Sequence, residues 1–169
     1  SGGASGSDHV VPGNLRPLGN SGASIYQGTL TTRNNAFYDA FDNALLDGVT
    51  ISAGSVVWGG VRFRNGPTID GTVNIFGQGT IGFEGTQTVG GSGQIVFTSN
   101  GGGTPGGIRT LTANMTLTLG PGLTVRGGYG QFRHDTATQS TTIVNYGTIE
   151  SSSQGRVEIN TGAFVNEAG

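Results

Sequence analysis

The chain has 169 residues, of which 34 are glycine; 11% are charged, 33% are hydrophobic, and the formal net charge at pH 7 is -2. Such a length is most simply one domain, and so even a charge balance excludes a strong field for nucleic acid or an anionic membrane. With no cysteine and two histidines, the chain offers no disulfide, no thiolate chemistry and almost no ligands for a zinc or redox-metal site.

Glycine lies far above its usual ~7%, without the Gly-X-Y period of collagen. The glycines fall between β-branched pairs, which points to many tight turns rather than to disorder. No apolar run approaches the ~20 residues of a membrane helix, so no membrane insertion is expected. No basic-then-apolar leader opens the sequence, and Ser1-Gly2-Gly3 reads as a processed or engineered start.

Taken in order, residues 1–24 are rich in Gly, Ser, Pro and Asn and read as an extended arm or irregular segment. Such an arm can also add backbone hydrogen bonds to the exposed edge of a neighbouring molecule. Residues 25–169 read as a single β domain. IYQGTLTTRNN (25–35) is its first strand. In residues 36–47 a helical period competes, because Phe37, Phe41 and Leu45 lie four apart, as do Ala36, Ala40 and Ala44. A short helix near 36–46 is therefore an alternative to strand there.

From Leu46 onward short alternating strands run between glycine turns. Val61 and Phe63 point in while Arg62 and Arg64 point out; Ile69, Val73 and Ile75 oppose Asp70, Thr72 and Asn74. TIGF (80–83), QIVF (94–97), MTLTL (115–119), LTV (123–125), TIVNY (142–146) and RVEIN (156–160) repeat the phrase, and loops at 98–110 and 127–140 are expected to project. Ile51, Ile75, Phe97, Leu119 and Ile143 are separated by 24, 22, 22 and 24 residues. A period near 22 is that of one coil of a β-solenoid, in which stacked coils share one core. By parity that core contains Ile51, Ile69, Val73, Ile75, Ile95, Phe97, Leu117, Leu119, Val125, Val157 and Ile159. Asp47-Gly48, Asn65-Gly66 and Asp70-Gly71 are also hairpin dipeptides, so a β-sandwich or jelly roll is the alternative.

NALLDGVTI (43–51), GPTIDGTVNI (66–75), FEGTQTVGGSGQIVF (83–97), LTLGPGLTVRGG (117–128), VNYGTIES (144–151) and FVNEAG (164–169) resemble segments of bacterial secreted β-solenoid repeat proteins of the filamentous-haemagglutinin and autotransporter-passenger type. The resemblance spans residues 43–169. It implies a right-handed parallel β-helix at the cell surface or in an extracellular fibre, with no shared catalytic residues. In longer members further coils follow the phrase like FVNEAG, so a fragment or a subunit completed by its neighbour is expected.

Motifs that could carry chemistry have plainer explanations. Gly77-Gln78-Gly79-Thr80-Ile81-Gly82 matches GxGxxG, but strand and turn follow where a nucleotide site needs a helix. Gly90-Gly91-Ser92-Gly93-Gln94 approaches a calcium β-roll repeat with Gln where the ligand Asp should be. Asn114-Met115-Thr116 is a formal glycosylation sequon that also suits a coil corner. Arg62, Arg64 and Asp70 could form a surface ion pair on neighbouring coils. Trp58, Phe63, Phe83 and Phe97 read as core, and Phe76 breaks parity toward solvent. The densest ionisable cluster is the loop with Arg126, Tyr129, Phe132, Arg133, His134 and Asp135, a candidate contact for a small anion or glycan. No catalytic residues, cofactors or metal site are assigned. The expected function is a non-catalytic extracellular structural or adhesive module, self-associating end to end as a fibre subunit. The alternative is a carbohydrate-active or glycan-binding β-helix protein.

Overall fold

The computed structural model describes residues 4–5, 9–12, 23–40, 43–99, 104–135 and 140–167. Among them the chain is all-β: parallel strands in a curled sheet, as in a β-solenoid. The strands in order are β1 (Ala4–Ser5), β2 (His9–Pro12), β3 (Ser24–Tyr26), β4 (Thr29–Arg33), β5 (Tyr38–Asp39), β6 (Ala44–Asp47), β7 (Thr50–Ile51), β8 (Val56–Trp58), β9 (Val61–Arg64) and β10 (Thr68–Ile69). They continue with β11 (Thr72–Ile75), β12 (Thr80–Glu84), β13 (Gln87–Val89), β14 (Gln94–Phe97), β15 (Gly106–Thr110), β16 (Thr116–Leu119), β17 (Thr124–His134), β18 (Thr142–Asn145), β19 (Thr148–Asn160) and β20 (Ala163–Asn166).

Each strand pairs with the strand one turn of chain away, and three stacks result. The first runs β1-β3-β6-β9-β12-β15 and continues into the second half of β17. The second runs β5-β8-β11-β14 into the first half of β17. In the third, β2-β4-β7-β10 meets β13-β16-β18-β20 through the bridge Thr68–Gly90. Every one of these pairings is parallel, whereas a sandwich or jelly roll needs antiparallel hairpins. Strands β17 and β19 each turn from the second stack into the first, with a register irregularity between Gly127 and Tyr129.

The inward residues form one continuous core. Leu30, Leu46, Ile51, Val57, Phe63, Ile69, Val73, Ile75, Ile81, Phe83, Ile95, Ile108, Leu117, Leu119, Phe132 and Ile143 are fully buried within it. Phe63 and Phe83 lie in register on adjacent coils with rings stacked at 5.4 Å between centroids. Polar groups that fall inside are bonded, as burial demands. Gln87 plugs a corner, donating to the carbonyls of Glu84 at 2.8 Å and Phe63 at 3.2 Å. Where β7 has only two residues, hydroxyls extend the ladder: the Thr32 N–H donates to Ser55 Oγ at 2.9 Å, and the Val56 N–H to Thr32 Oγ1 at 3.0 Å.

Several expectations change. Residues 38–39 and 44–47 are strands β5 and β6 rather than a helix; Phe41 lies outside the described residues. Ala44 and Leu46 pair with Val61 and Phe63, so cross-strand register overrides the weak four-residue spacing. Of the arm, residues 4–5 and 9–12 pair with Ile25, Tyr26 and Leu30–Arg33 of the same chain; the rest of residues 1–22 lies outside the described residues. The supposed loops contain β15 and most of β17. Ile75 does stack on Phe97, but Ile51 stacks on Ile69, Leu119 on Asn145, and Ile143 on Leu117. The reason is coil length: 16 residues separate Val57 from its partner Val73, and 30 separate Ile95 from Val125. Parity survives this variation, and a constant period does not. Val157 is half-buried and Ile159 is exposed, because no described coil covers them.

Parity makes a sharp prediction within β16, where Leu119 is buried and Thr118 faces outward. Leu119→Asp should cost about 4 kcal/mol or more, since it buries an unpaired carboxylate and empties a packed site. Thr118→Asp should cost about 0.5 kcal/mol or less. Thermal or urea unfolding of the two variants checks this, and equal losses would refute the assignment of faces.

Candidate functional site

Outward side chains repeat at one inter-strand spacing, so residues distant in sequence form vertical columns. On the first stack, Arg62 and Arg64 of β9 both reach Glu84 of β12. Arg62 Nη1 lies 2.6 Å from Glu84 Oε1; Arg64 bonds Oε2 through Nε at 3.1 Å and also through Nη2. Asp47 lies one coil below Arg64, its Oδ2 3.8 Å from Nη1, and accepts a 2.6 Å bond from Asn65 Nδ2. Partial burial pushes the Glu84 carboxyl up, but the Arg64 hydrogen bond and the charges of Arg62 and Arg64 outweigh it and hold it below its ordinary value. The Glu84 hydrogen bond and charge raise the Arg64 guanidinium in turn. Arg62 and Arg64 thus do form ion pairs between coils, but with Glu84 and not with Asp70. The signal was the 20- and 22-residue spacing to Glu84, one coil onward.

Asp70 lies elsewhere, in a shallow open hollow of about 330 Å³ with Thr72, Ser92, Gln94, Thr124 and Arg126. Its Oδ1 accepts the Ser92 N–H at 3.0 Å and the Ser92 hydroxyl at 3.2 Å. Arg126 Nε donates to Gln94 Oε1 at 2.6 Å, and Gln94 Nε2 donates to Thr72 Oγ1 at 3.0 Å. The hollow holds one carboxylate, where glycoside hydrolysis uses a pair. These bonds tie Asp70 to Ser92, and Arg126 to Thr72 through Gln94.

The cluster read as a loop from Arg126 to Asp135 is dispersed by strand β17. Arg126 points into the hollow just described. Tyr129 takes the Arg156 guanidinium over its ring at 4.9 Å and accepts its Nη2 hydrogen bond at 2.6 Å. Phe132 is fully buried and packs on Phe164 at 5.8 Å, so it is core and not a stacking surface. His134 Nδ1 lies 3.0 Å from the Asp135 carbonyl oxygen, so the pair is no catalytic dyad. Asp135 accepts from Arg109 Nη2 at 3.3 Å. Arg133 and Arg109 are register partners on the outer surface of the first stack. Arg109 escaped sequence reasoning because its register partners, Arg133 and Gly82, lie 24 and 27 residues away rather than at the assumed period near 22.

Trp58 likewise moves out of the core. Val57 takes the inward place in β8, leaving Trp58 on the outer side, half-buried, with ring centroids 5.8 Å from Phe37 and 6.0 Å from Phe76. Phe76 is 67% exposed, as its broken parity suggested. Among the described residues no three His, Asp or Glu side chains converge as metal ligands, and no helix is long and apolar enough to cross a membrane.

No protein-family model matches the chain, and no curated protein or solved structure matches it either.

The arginine–Glu84 cluster predicts a pH signature. A carboxyl whose folded pKa is depressed adds stability above its unfolded pKa, and that contribution is lost as pH falls through the folded value. Glu84→Gln should therefore lower stability by roughly 1 kcal/mol at neutral pH, the scale of a solvent-accessible ion pair. In melting curves taken at successive pH values, the gap to the parent chain should close below the ordinary glutamate range, because protonated Glu84 resembles Gln. A gap that persists at pH 2 would contradict the assignment.

Proposed function

We propose that the chain is a non-catalytic structural or adhesive module of an extracellular or cell-surface assembly, built as a right-handed parallel β-helix that extends by end-to-end stacking of copies. The handedness follows from the strong preference of parallel crossover connections for the right-handed path. The observation that carries the stacking is the state of the last coil. Phe132 is fully buried, whereas its register partner one coil on, Ile159, is 51% exposed. Beside it Ile149, Val157 and Phe164 are only partly covered. Among the described residues strand β19 pairs only with β17 and β20 only with β18, so each presents one edge of backbone donors and acceptors. Such an edge pairs with other chains unless it is capped.

A parallel coil continues this surface with the same register and the same parity, which a second copy supplies through β1, β2 and β5. Asn145 already donates to Asn166 Oδ1 at 2.8 Å, and an amide ladder of this kind extends one rung per coil. Because the contact is head to tail and does not close, it yields a filament. The polar composition with few charges suits a long, exposed β surface. Residues 4–5 and 9–12 already pair within their own chain, so the contact uses the free side of that first rung rather than a detached arm.

Sedimentation velocity and electron microscopy across a concentration series test the proposal. The parent chain should form rods of constant width and growing length, and Ile159→Glu should stay monomeric with an unchanged fold. A parent chain that remains monomeric at every concentration overturns stacking between copies and leaves further coils of a longer polypeptide as the natural cover. Release of product from an acidic polysaccharide that Asp70→Asn or His134→Ala abolishes would overturn the non-catalytic reading.

A further inference from the structure

The first stack carries Arg62, Arg64, Arg109 and Arg133, half of the eight cationic side chains in the chain, all of which are arginine. Arg62 and Arg64 are accounted for by Glu84 and Asp47. Arg109 and Arg133 are not. They sit directly opposite each other on adjacent parallel strands, β15 and β17, an arrangement that is unfavourable for like charges. Their described carboxylate partner is Asp135, at 3.3 Å from Arg109 Nη2. Arg133 has one long bond, from Nη2 to Thr80 Oγ1 at 3.5 Å. The Nε–H of both arginines is covered by protein and has no acceptor among the described residues. Two guanidinium groups hold ten N–H donors between them, and these two bonds are all they donate among the described residues.

The fold makes room for this pair. Gly107 stands one coil below Gln131 in β17, and a Cβ on it would lie 3.3 Å from Arg133 Nε. The absent side chain lets Arg133 lie along the sheet toward Thr80, two coils away. Gly82, the register partner of Arg109, also lacks a side chain, but there the Leu111 side chain fills the space. Two planar cations thus lie side by side on the outer face of the sheet. Burial and then the charge of Arg109 press the Arg133 guanidinium below its ordinary pKa, and Asp135 opposes this only in part. An anion between the two arginines relieves the repulsion and takes up idle Nη donors. Arginine rather than lysine is the residue whose forked donors match a planar or tetrahedral oxyanion. The side chains of Arg109 and Asp135 remain about a third exposed, at 29% and 35%, so both are reachable from solvent.

We propose that Arg109 and Arg133 form a binding site for an oxyanion, a carboxylate or sulfate group presented on an acidic saccharide or free in solution. The site is independent of end-to-end stacking: it lies on an outer face, not at the last coil's exposed core.

Inorganic sulfate and a tetramer of galacturonic acid are the probes, titrated calorimetrically into the full chain at constant ionic strength, with melting curves recorded alongside. Saturable binding of at least one probe is expected, with a rise in melting temperature beyond that in chloride. Arg133→Gln should weaken binding at least tenfold. Arg133→Lys, which keeps the charge and loses the fork, should weaken it several-fold, and Arg126→Gln, on the other face, should leave it unchanged. Circular dichroism of each unliganded variant shows that it is folded; should Arg133→Gln not fold, Arg133→Lys and Arg109→Gln carry the test. Tetragalacturonate binding much tighter than sulfate identifies a saccharide-borne anion, and sulfate binding alone identifies a free one. No saturable binding of either probe, or equal binding by the parent chain and the folded Arg133 variant, overturns the site.

Discussion

A single coil of this chain encloses one layer of inward side chains and cannot keep water from either side of it. Everything else depends on stacking the next coil in parallel register, so that Ile81 lies on Ile108 and Ile108 on Phe132. The backbone ladder and the hydrophobic core are therefore one interaction: losing register by one residue would turn every apolar side chain of that strand outward. The exposed Ile159 shows what a layer looks like when nothing described lies above it. Nearest-neighbour dependence of this kind is the general property of repeat architectures.

Stacking tolerates large differences in coil length because corners, not faces, absorb them. Asn34, Asn35, Asn43, Asn65 and Asn114 all hold positive φ values near 60° at such corners, a conformation that asparagine accepts more readily than most residues. Glycine is needed where backbone also passes close to backbone. Gly127, with φ of 134°, begins the bend that carries β17 from the second stack to the first, and a Cβ on it would overlap the Phe97 carbonyl. Gly130, just beyond the bend, lies against the Phe97 ring and has no room for a side chain. The abundant glycine of the sequence is thus partly a packing requirement of the coil turns.

What the sequence disclosed follows from the same division. Alternation within a strand is a local property, so the inward places of Val61, Phe63, Val73, Ile75, Leu117 and Leu119 could be read directly. Which coil lies on which is a property of corner length, and it stayed hidden: Ile51 and Ile75 share parity but belong to different stacks. Trp58 was misplaced because a large aromatic residue invites a core assignment, whereas parity with Val57 puts it outside. The outward clusters suffered most. Glu84 lies at the expected period from Arg62, but Arg109 opposite Arg133 requires knowing the coil offset to within a residue, and those offsets vary from one coil to the next. Hence the columns of charge that define the outer face became visible only with the register.

The register is accordingly the quantity to measure. With no native cysteine, paired substitutions report on it without interference. Parallel register partners approach within the range that a disulfide spans. Thr118 and Val144 are such partners, both on the outer side of the third stack, whereas stacking Leu119 on Ile143, as their 24-residue spacing suggested, would place Thr118 opposite Thr142. Under mild oxidation the chain carrying Thr118→Cys and Val144→Cys should form an intramolecular disulfide readily, and the chain carrying Thr118→Cys and Thr142→Cys should do so much more slowly. Faster closure of the second pair, or failure of both in folded protein, would contradict the stacked parallel coil.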